Sequence, residues 1–185
     1  MSKIREQKPL LQTKILLEHY KYICYLSELS KEEFSALINN AEPTIYAAFK
    51  NRSVSLEDTI NIVATYKKVI RRTYYKIQHL TRSDDFKKNI DKYASIYIAY
   101  RVLKMKHFNK KNLSNEVIAM KLGISYKNNI CREYQNALKL FYRFLIPIAK
   151  KNGLNNIFAD NNIGIIKLLK LDKEAKSKRT QFNVA

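Results

Sequence analysis

Few residues in this chain have the types and spacing that catalysis asks for. Its three histidines, His19, His79 and His107, stand far apart in sequence. None pairs with a Cys, Asp or Glu at metal-ligand spacing. Asp84-Asp85 reads as a helix start, where carboxylates meet the positive end of the helix dipole, rather than as a metal pair. No phosphate-cradling glycine loop, dinucleotide fingerprint or nucleophile elbow occurs. Cys24 and Cys131 both sit in apolar helical patterns, as small hydrophobes in a reducing compartment do. The expectation is a binding protein and not an enzyme, with no catalytic residue, cofactor or metal.

The chemistry that stands out is positive charge. There are 35 Lys and Arg against 16 Asp and Glu, a formal net charge of +19. Through Arg82 the sequence holds 14 basic and 8 acidic residues, a balance of +6; the remainder holds 21 and 8, a balance of +13. Such a chain repels itself unless a polyanion or salt screens it. Neutralising phosphates releases condensed counterions, so nucleic acid is the expected partner. The other readings are a solvated basic surface and a surface that docks an acidic protein. Most of the 13 tyrosines fall at helical core spacing. A few, such as Tyr74-Tyr75, are candidates for stacking on single-stranded nucleic acid.

The elements that position these residues are expected to be all-α. Gly and Pro occur three times each, too few for the special turns of a β fold. Leu16, Tyr20, Ile23 and Leu26 recur at helical spacing. Ser30 with Glu33 forms a capping box ahead of Phe34, Leu37 and Ile38. Pro43 suits a first helical turn, with Ile45, Ala48 and Phe49 inward. Ser55 with Asp58 caps a long helix reaching about Leu80. Leu56, Ile60, Val63, Ile70, Tyr74 and Ile77 give that helix a near-heptad seam, interrupted by Lys67, which either packs internally or joins a second copy.

Thr81–Asp85 is the candidate hinge. Phe86, Ile90, Tyr93, Tyr97 and Tyr100 predict a further amphipathic helix. Asn109–Asn112 is a polar break. Ser114–Leu122 reads as a short helix stopped by Gly123. Tyr126 to about Lys150 reads as a longer one, with Leu138, Phe141, Leu145 and Ile148 inward, a kink before Pro147 and a C-cap at Gly153. Ile163–Leu171 is a last short helix. The expected division is a helix-turn-helix domain over 1–80, a basic helical domain over 81–172 and a disordered basic tail over 173–185. Met1–Lys8 is polar and unlike a signal peptide, and no apolar run approaches the roughly 20 residues of a membrane span. The expected location is the cytoplasm, at the nucleoid, with no membrane partner.

Leu29 to Ile62 runs as a capped helix, a tight turn, a short helix, a polar loop and another capped helix. This stretch, within roughly Leu10–Ile70, resembles the phage-repressor-like helix-turn-helix family of the lambda repressor and Cro type. Phe34 matches the apolar residue of the second helix, and Ser35 the small residue beside the turn. Asn39 stands where the family has a turn Gly, and Ala41 at its apolar turn position. Thr44-Ile45 matches the start of the recognition helix, and Ser55-Leu56 the pair opening the helix after it.

The resemblance implies that Lys31 contacts phosphate. It implies that Glu42, Thr44, Tyr46, Ala47 and Lys50 face the major groove, and that Asn51 and Arg52 meet the backbone. Tyr46 either packs a thymine methyl, donates to phosphate, or is a partly buried bundle tyrosine. Glu42 repels phosphate unless it accepts from a cytosine N4.

Leu113–Ser125 resembles the helix-turn-helix of sigma-factor region four. Ile118 and Ala119 pack, Gly123 turns, Ile124 is the turn apolar residue and Ser125 caps. Asn129 stands where the family has Val, with Ile130 one place later. By this resemblance Lys127, Asn128 and Arg132 contact DNA; otherwise the unit is a hairpin that packs or dimerises. The function expected is a DNA-binding transcriptional regulator of a phage, plasmid or mobile element, acting as a homodimer on double-stranded DNA. The alternative is a non-specific helical subunit binding RNA or single-stranded DNA within a larger complex.

Overall fold

The computed structural model describes residues 2–41, 43, 46–47, 55–83, 88–125, 129–155 and 157–158. These are all-α, with no strand among them. In chain order the helices are α1 (Ser2–Glu18), α2 (Tyr20–Leu26), α3 (Lys31–Asn39), α4 (Leu56–Leu80) and α5 (Ile90–Leu103). A π-helical segment, Lys104–Phe108, continues α5; α6 (Asn115–Leu122) and α7 (Asn129–Lys151) follow. Pro43, Tyr46 and Ala47 are also helical. No helix among the described residues is long and apolar enough to cross a membrane.

Two compact units share these helices. One comprises 1–18 and 68–155, the other 19–67 and 156–185. The sequence places a boundary after Leu80. The units change over beside His19, where α1 gives way to α2, and within α4, between Lys67 and Lys68. The expected helix at Ile163–Leu171 and the tail from 173 lie outside the described residues.

In the unit of 19–67 and 156–185, the core is Tyr22, Ile23, Leu26, Phe34, Ile38, Ala41, Val63, Tyr66 and Ile157. The expected capping box is present: Ser30 Oγ accepts from the Glu33 N–H at 3.1 Å, and Glu33 Oε2 accepts from the Ser30 N–H at 2.7 Å. Ser55 caps α4 by accepting from the Asp58 N–H at 3.0 Å. Deep in this core the Tyr66 hydroxyl donates to the Ile157 carbonyl at 2.7 Å. Lys67, which interrupts the apolar seam of α4, reaches Glu28 Oε1 at 2.8 Å.

In the unit of 1–18 and 68–155, α7 packs chiefly on α5 and α1. Its inward residues, Ile130, Tyr134, Ala137, Leu138, Phe141, Leu145 and Ala149, recur at three- and four-residue steps and form one buried stripe. Ile148 is half-buried, and small Ala149 takes the inward place expected for it. Pro147 lies inside α7. Gly153 ends α7 at φ +80°, where the Leu154 N–H donates to the Ala149 carbonyl at 3.0 Å.

The face assigned to α5 is corrected in part, since Tyr100 is buried as expected and Tyr97 is not. Tyr97 is 39 % exposed, and Ala99, Tyr100, Val102 and Leu103 are the buried set. The run Ile96–Leu103 is apolar on nearly every side, so tyrosine spacing alone selects the wrong stripe. Val63, Ile70, Tyr74 and Ile77 on α4 are each at most 8 % exposed. From Val63 onward, the seam that sequence leaves open to a second copy is therefore filled by the chain itself, while Leu56 and Ile60 are half-buried.

Candidate nucleic-acid interface

The best-defined candidate surface is built on α6, its turn and α7. Ser114 caps α6, accepting from the Val117 N–H at 3.3 Å. Ile118 and Ala119 are buried. Gly123 stops the helix at φ +64°, and the Ile124 N–H donates to the Ala119 carbonyl at 3.0 Å. This left-handed closure satisfies a late carbonyl and ends α6. At the start of α7, Asn129 is exposed and Ile130 is fully buried. The inward face thus sits one residue later than in the family pattern, as the sequence register implies.

A buried network fixes this helix pair to the π-helical segment. His107 Nε2 lies 2.9 Å from the Tyr134 hydroxyl. Lys106 Nζ sits 4.7 Å from the Tyr134 ring centroid and donates to Asn115 Oδ1 at the start of α6. The Leu113 N–H donates to the Met105 carbonyl at 3.1 Å. Burial lowers the Lys106 pKa, and the charge of Lys14 adds to that; Glu18 and Cys131 oppose it. Burial raises the Tyr134 phenol, and the charge of Glu18 adds to that. The same segment therefore ties both helices to the core from their inner sides, leaving their outer sides to solvent.

The outer side of α7 is cationic. Arg132, Lys139, Arg143 and Lys150 are exposed and follow at steps of seven, four and seven, which keeps them on one helix face. At 1.5 Å per residue they span about 27 Å, more than twice the roughly 12 Å width of a major groove. From Arg101 to Lys151 the sequence has twelve Lys and Arg against two acids, Glu116 and Glu133. Ion pairs join Lys14 to Glu18, Lys31 to Glu57 and Lys67 to Glu28. Among the described residues, none engages Lys121, Arg132, Lys139, Arg143 or Lys150. Like charges so disposed raise each other's energy, and an external polyanion relieves them.

The sequence-derived contact residues are distributed unevenly. Arg132 lies on this cationic face. Lys31 is exposed as the first residue of α3, with its Nζ 3.8 Å from Glu57 Oε2. A pair that open to water holds the cation only weakly. Tyr46 is half-buried and Ala47 exposed. Glu42, Thr44, Lys50, Asn51, Arg52, Lys127 and Asn128 lie outside the described residues. Sequence reasoning missed Lys139 and Arg143. Their step from Arg132 was legible, since it follows directly once Phe141 and Leu145 are set inward.

Cys131 is a correction. Expected as a buried small hydrophobe, it is an exposed free thiol beside Arg132, whereas Cys24 is half-buried. Asn129 to Arg132 includes three exposed residues around Ile130, because this first turn of α7 inserts one apolar side chain.

Two exposed tyrosines carry guanidinium partners one turn away. Arg71 Nε donates to the Tyr75 hydroxyl at 3.1 Å, and Arg101 Nη1 donates to the Tyr97 hydroxyl at 2.8 Å. The guanidinium carbons lie 5.4 and 5.7 Å from the respective ring centroids. Tyr74, by contrast, is spent in the core, stacked on Phe108 with centroids 4.0 Å apart. Comparison with protein-family models, curated proteins and solved structures gives no match to this chain.

Proposed function

We propose that this chain is a double-stranded-DNA-binding transcriptional regulator. The observation that carries the reading is the outer face of α7, where Arg132, Lys139, Arg143 and Lys150 are exposed with no acidic partner among the described residues. Its place after α6 and Gly123 agrees with the sequence order of a helix-turn-helix, in which a capped helix and a turn lead to the helix that meets DNA.

In this reading the α6–α7 unit supplies much of the phosphate attraction. The stretch around 43–51 supplies base reading, through Thr44, Tyr46, Ala47 and Lys50, with Lys31, Asn51 and Arg52 on the backbone. The protein acts at the nucleoid as a homodimer on spaced half-sites, joined through a surface other than the α4 seam. Its attribution to a phage, plasmid or mobile element rests on family analogy alone.

The test is a titration of duplex DNA with purified protein across a salt series. Counterion release predicts a steep linear fall of log affinity with log salt, at about −0.9 per phosphate contacted. A flat dependence, or no binding at about 50 mM salt, contradicts the proposal. A second reading is favoured by the Arg71–Tyr75 and Arg101–Tyr97 pairs. Rings held by a cation and open to water suit base stacking on single strands. It predicts equal or tighter affinity for single-stranded DNA or RNA, with no sequence preference.

A further inference from the structure

Between α5 and α7 lies an open groove of about 290 Å³, lined by Ser95, Ile96 and Ala99 on one side and by Asn136, Lys139, Leu140 and Arg143 on the other. Its chemistry is not that of a core defect. The floor is aliphatic, from Ala99, Ile96 and Leu140. The rim carries a hydroxyl, a carboxamide, an ammonium and a guanidinium, and no carboxylate lines it. Lys139 and Arg143 lie one helical turn apart on α7, and both line the same opening. Both are exposed, and neither is ion-paired among the described residues. An Arg fork can bind two oxygens of one phosphate while Lys supplies a point charge, and Ser and Asn donors suit the remaining oxygens. The volume leaves room for a phosphate with its adjoining sugar.

We infer that this groove is a phosphodiester clamp, seating one strand of the DNA backbone between α5 and α7 through Lys139, Arg143, Asn136 and Ser95. The inference rests on the DNA-binding reading and adds to it a place and a role. Backbone contacts fix register and supply sequence-independent affinity, while base contacts specify. The clamp lies about 10 to 17 Å along α7 from Arg132, by the helical rise. Arg132 near the turn and the clamp farther along therefore hold the same backbone at two points.

The test compares the full chain with two double variants, Lys139→Gln with Arg143→Gln in the groove, and Lys68→Gln with Lys76→Gln on α4, away from the proposed interface. Each removes two charges from exposed positions, and unchanged melting temperature shows that each is folded. The probes are a set of duplexes of different sequence and a thymine single strand of the same length. The groove variant is expected to lower affinity about ten-fold and flatten the salt slope by about two, uniformly across the duplexes and with their ranking unchanged. The control variant is expected to lose clearly less.

Equal losses in the two variants, or a changed ranking of duplexes with the groove variant, overturn the clamp. If the wild type binds only the single strand and the groove variant alone weakens it, the clamp stands and the duplex-regulator reading falls. If the wild type binds duplex and the groove variant matches it, the regulator reading stands and the clamp falls. Absence of binding to either probe overturns both.

Discussion

The Ile124 N–H donates to the Ala119 carbonyl at 3.0 Å, closing the turn that Gly123 makes at φ +64°. The end of α6 is thus a left-handed residue followed by an N–H that satisfies a late carbonyl. A Cβ built at Gly123 meets nothing within 4 Å. The penalty for a side chain there is therefore conformational and not steric. Gly123→Ala is expected to destabilise the protein by about 1 kcal/mol, and Gly123→Asn by less, because Asn tolerates this region better. Urea unfolding of the two variants measures this. An Ala variant as stable as the wild type would mean that the turn is not held in this conformation.

The Tyr66 hydroxyl and the Ile157 carbonyl are 91 residues apart in sequence and 2.7 Å apart in space. Tyr66 itself is fully buried. Tyr66→Phe strands that carbonyl without changing the ring, and is expected to cost about 1–2 kcal/mol. Tyr75→Phe serves as the exposed control, with an expected change within about 0.5 kcal/mol. Denaturant midpoints compare them. Equal effects would remove Tyr66 from its place as the tie between α4 and the chain beyond α7.

Alkaline pH probes the network beneath the interface. Burial, with the charge of Glu18, holds the Tyr134 phenol above its ordinary value of 10.0 in the folded chain. The unfolded chain therefore loses this proton first. The stabilisation from keeping Tyr134 neutral is full below about pH 10 and falls as pH rises beyond it. Tyr134→Phe lacks that proton. Its stability relative to wild type is expected to be constant from about pH 8 to 10 and to improve above that range. Denaturant unfolding at several pH values checks it. A difference independent of pH would contradict the burial of Tyr134.

Cys131 offers a local reporter. As an exposed thiol next to Arg132 it should react with an alkylating reagent faster than half-buried Cys24. Bound duplex DNA is expected to slow alkylation of Cys131 several-fold and leave Cys24 unchanged. Peptide mapping of the labelled chain separates the two sites. Unslowed labelling of Cys131 under saturating DNA would move the interface away from the start of α7.

Much of the fold was legible because it is written in local signals. Ser30 with Glu33, Ser55 with Asp58, Ser114, Gly123 and Gly153 each mark a helix end by their own backbone chemistry. The long α4 followed from a sustained apolar period. Two features were hidden. Tyr97, Tyr100 and their neighbours offered apolar residues on every side, so periodicity could not choose the inward face of α5. The α5–α7 groove depends on which faces of two distant segments meet, and no local spacing carries that. The cationic face of α7 lies between these cases. Arg132, Lys139 and Arg143 could be placed together from sequence, but their lack of ion-pair partners among the described residues could not.

Selection of bound duplexes from a random pool at physiological salt tests the DNA-reading claim most directly. The expected result is an enriched motif, arranged as two related half-sites if a homodimer binds, whose best members bind at least about a thousand-fold more tightly than bulk duplex. Retention of duplex with no enriched motif, or no retention at all, would contradict it.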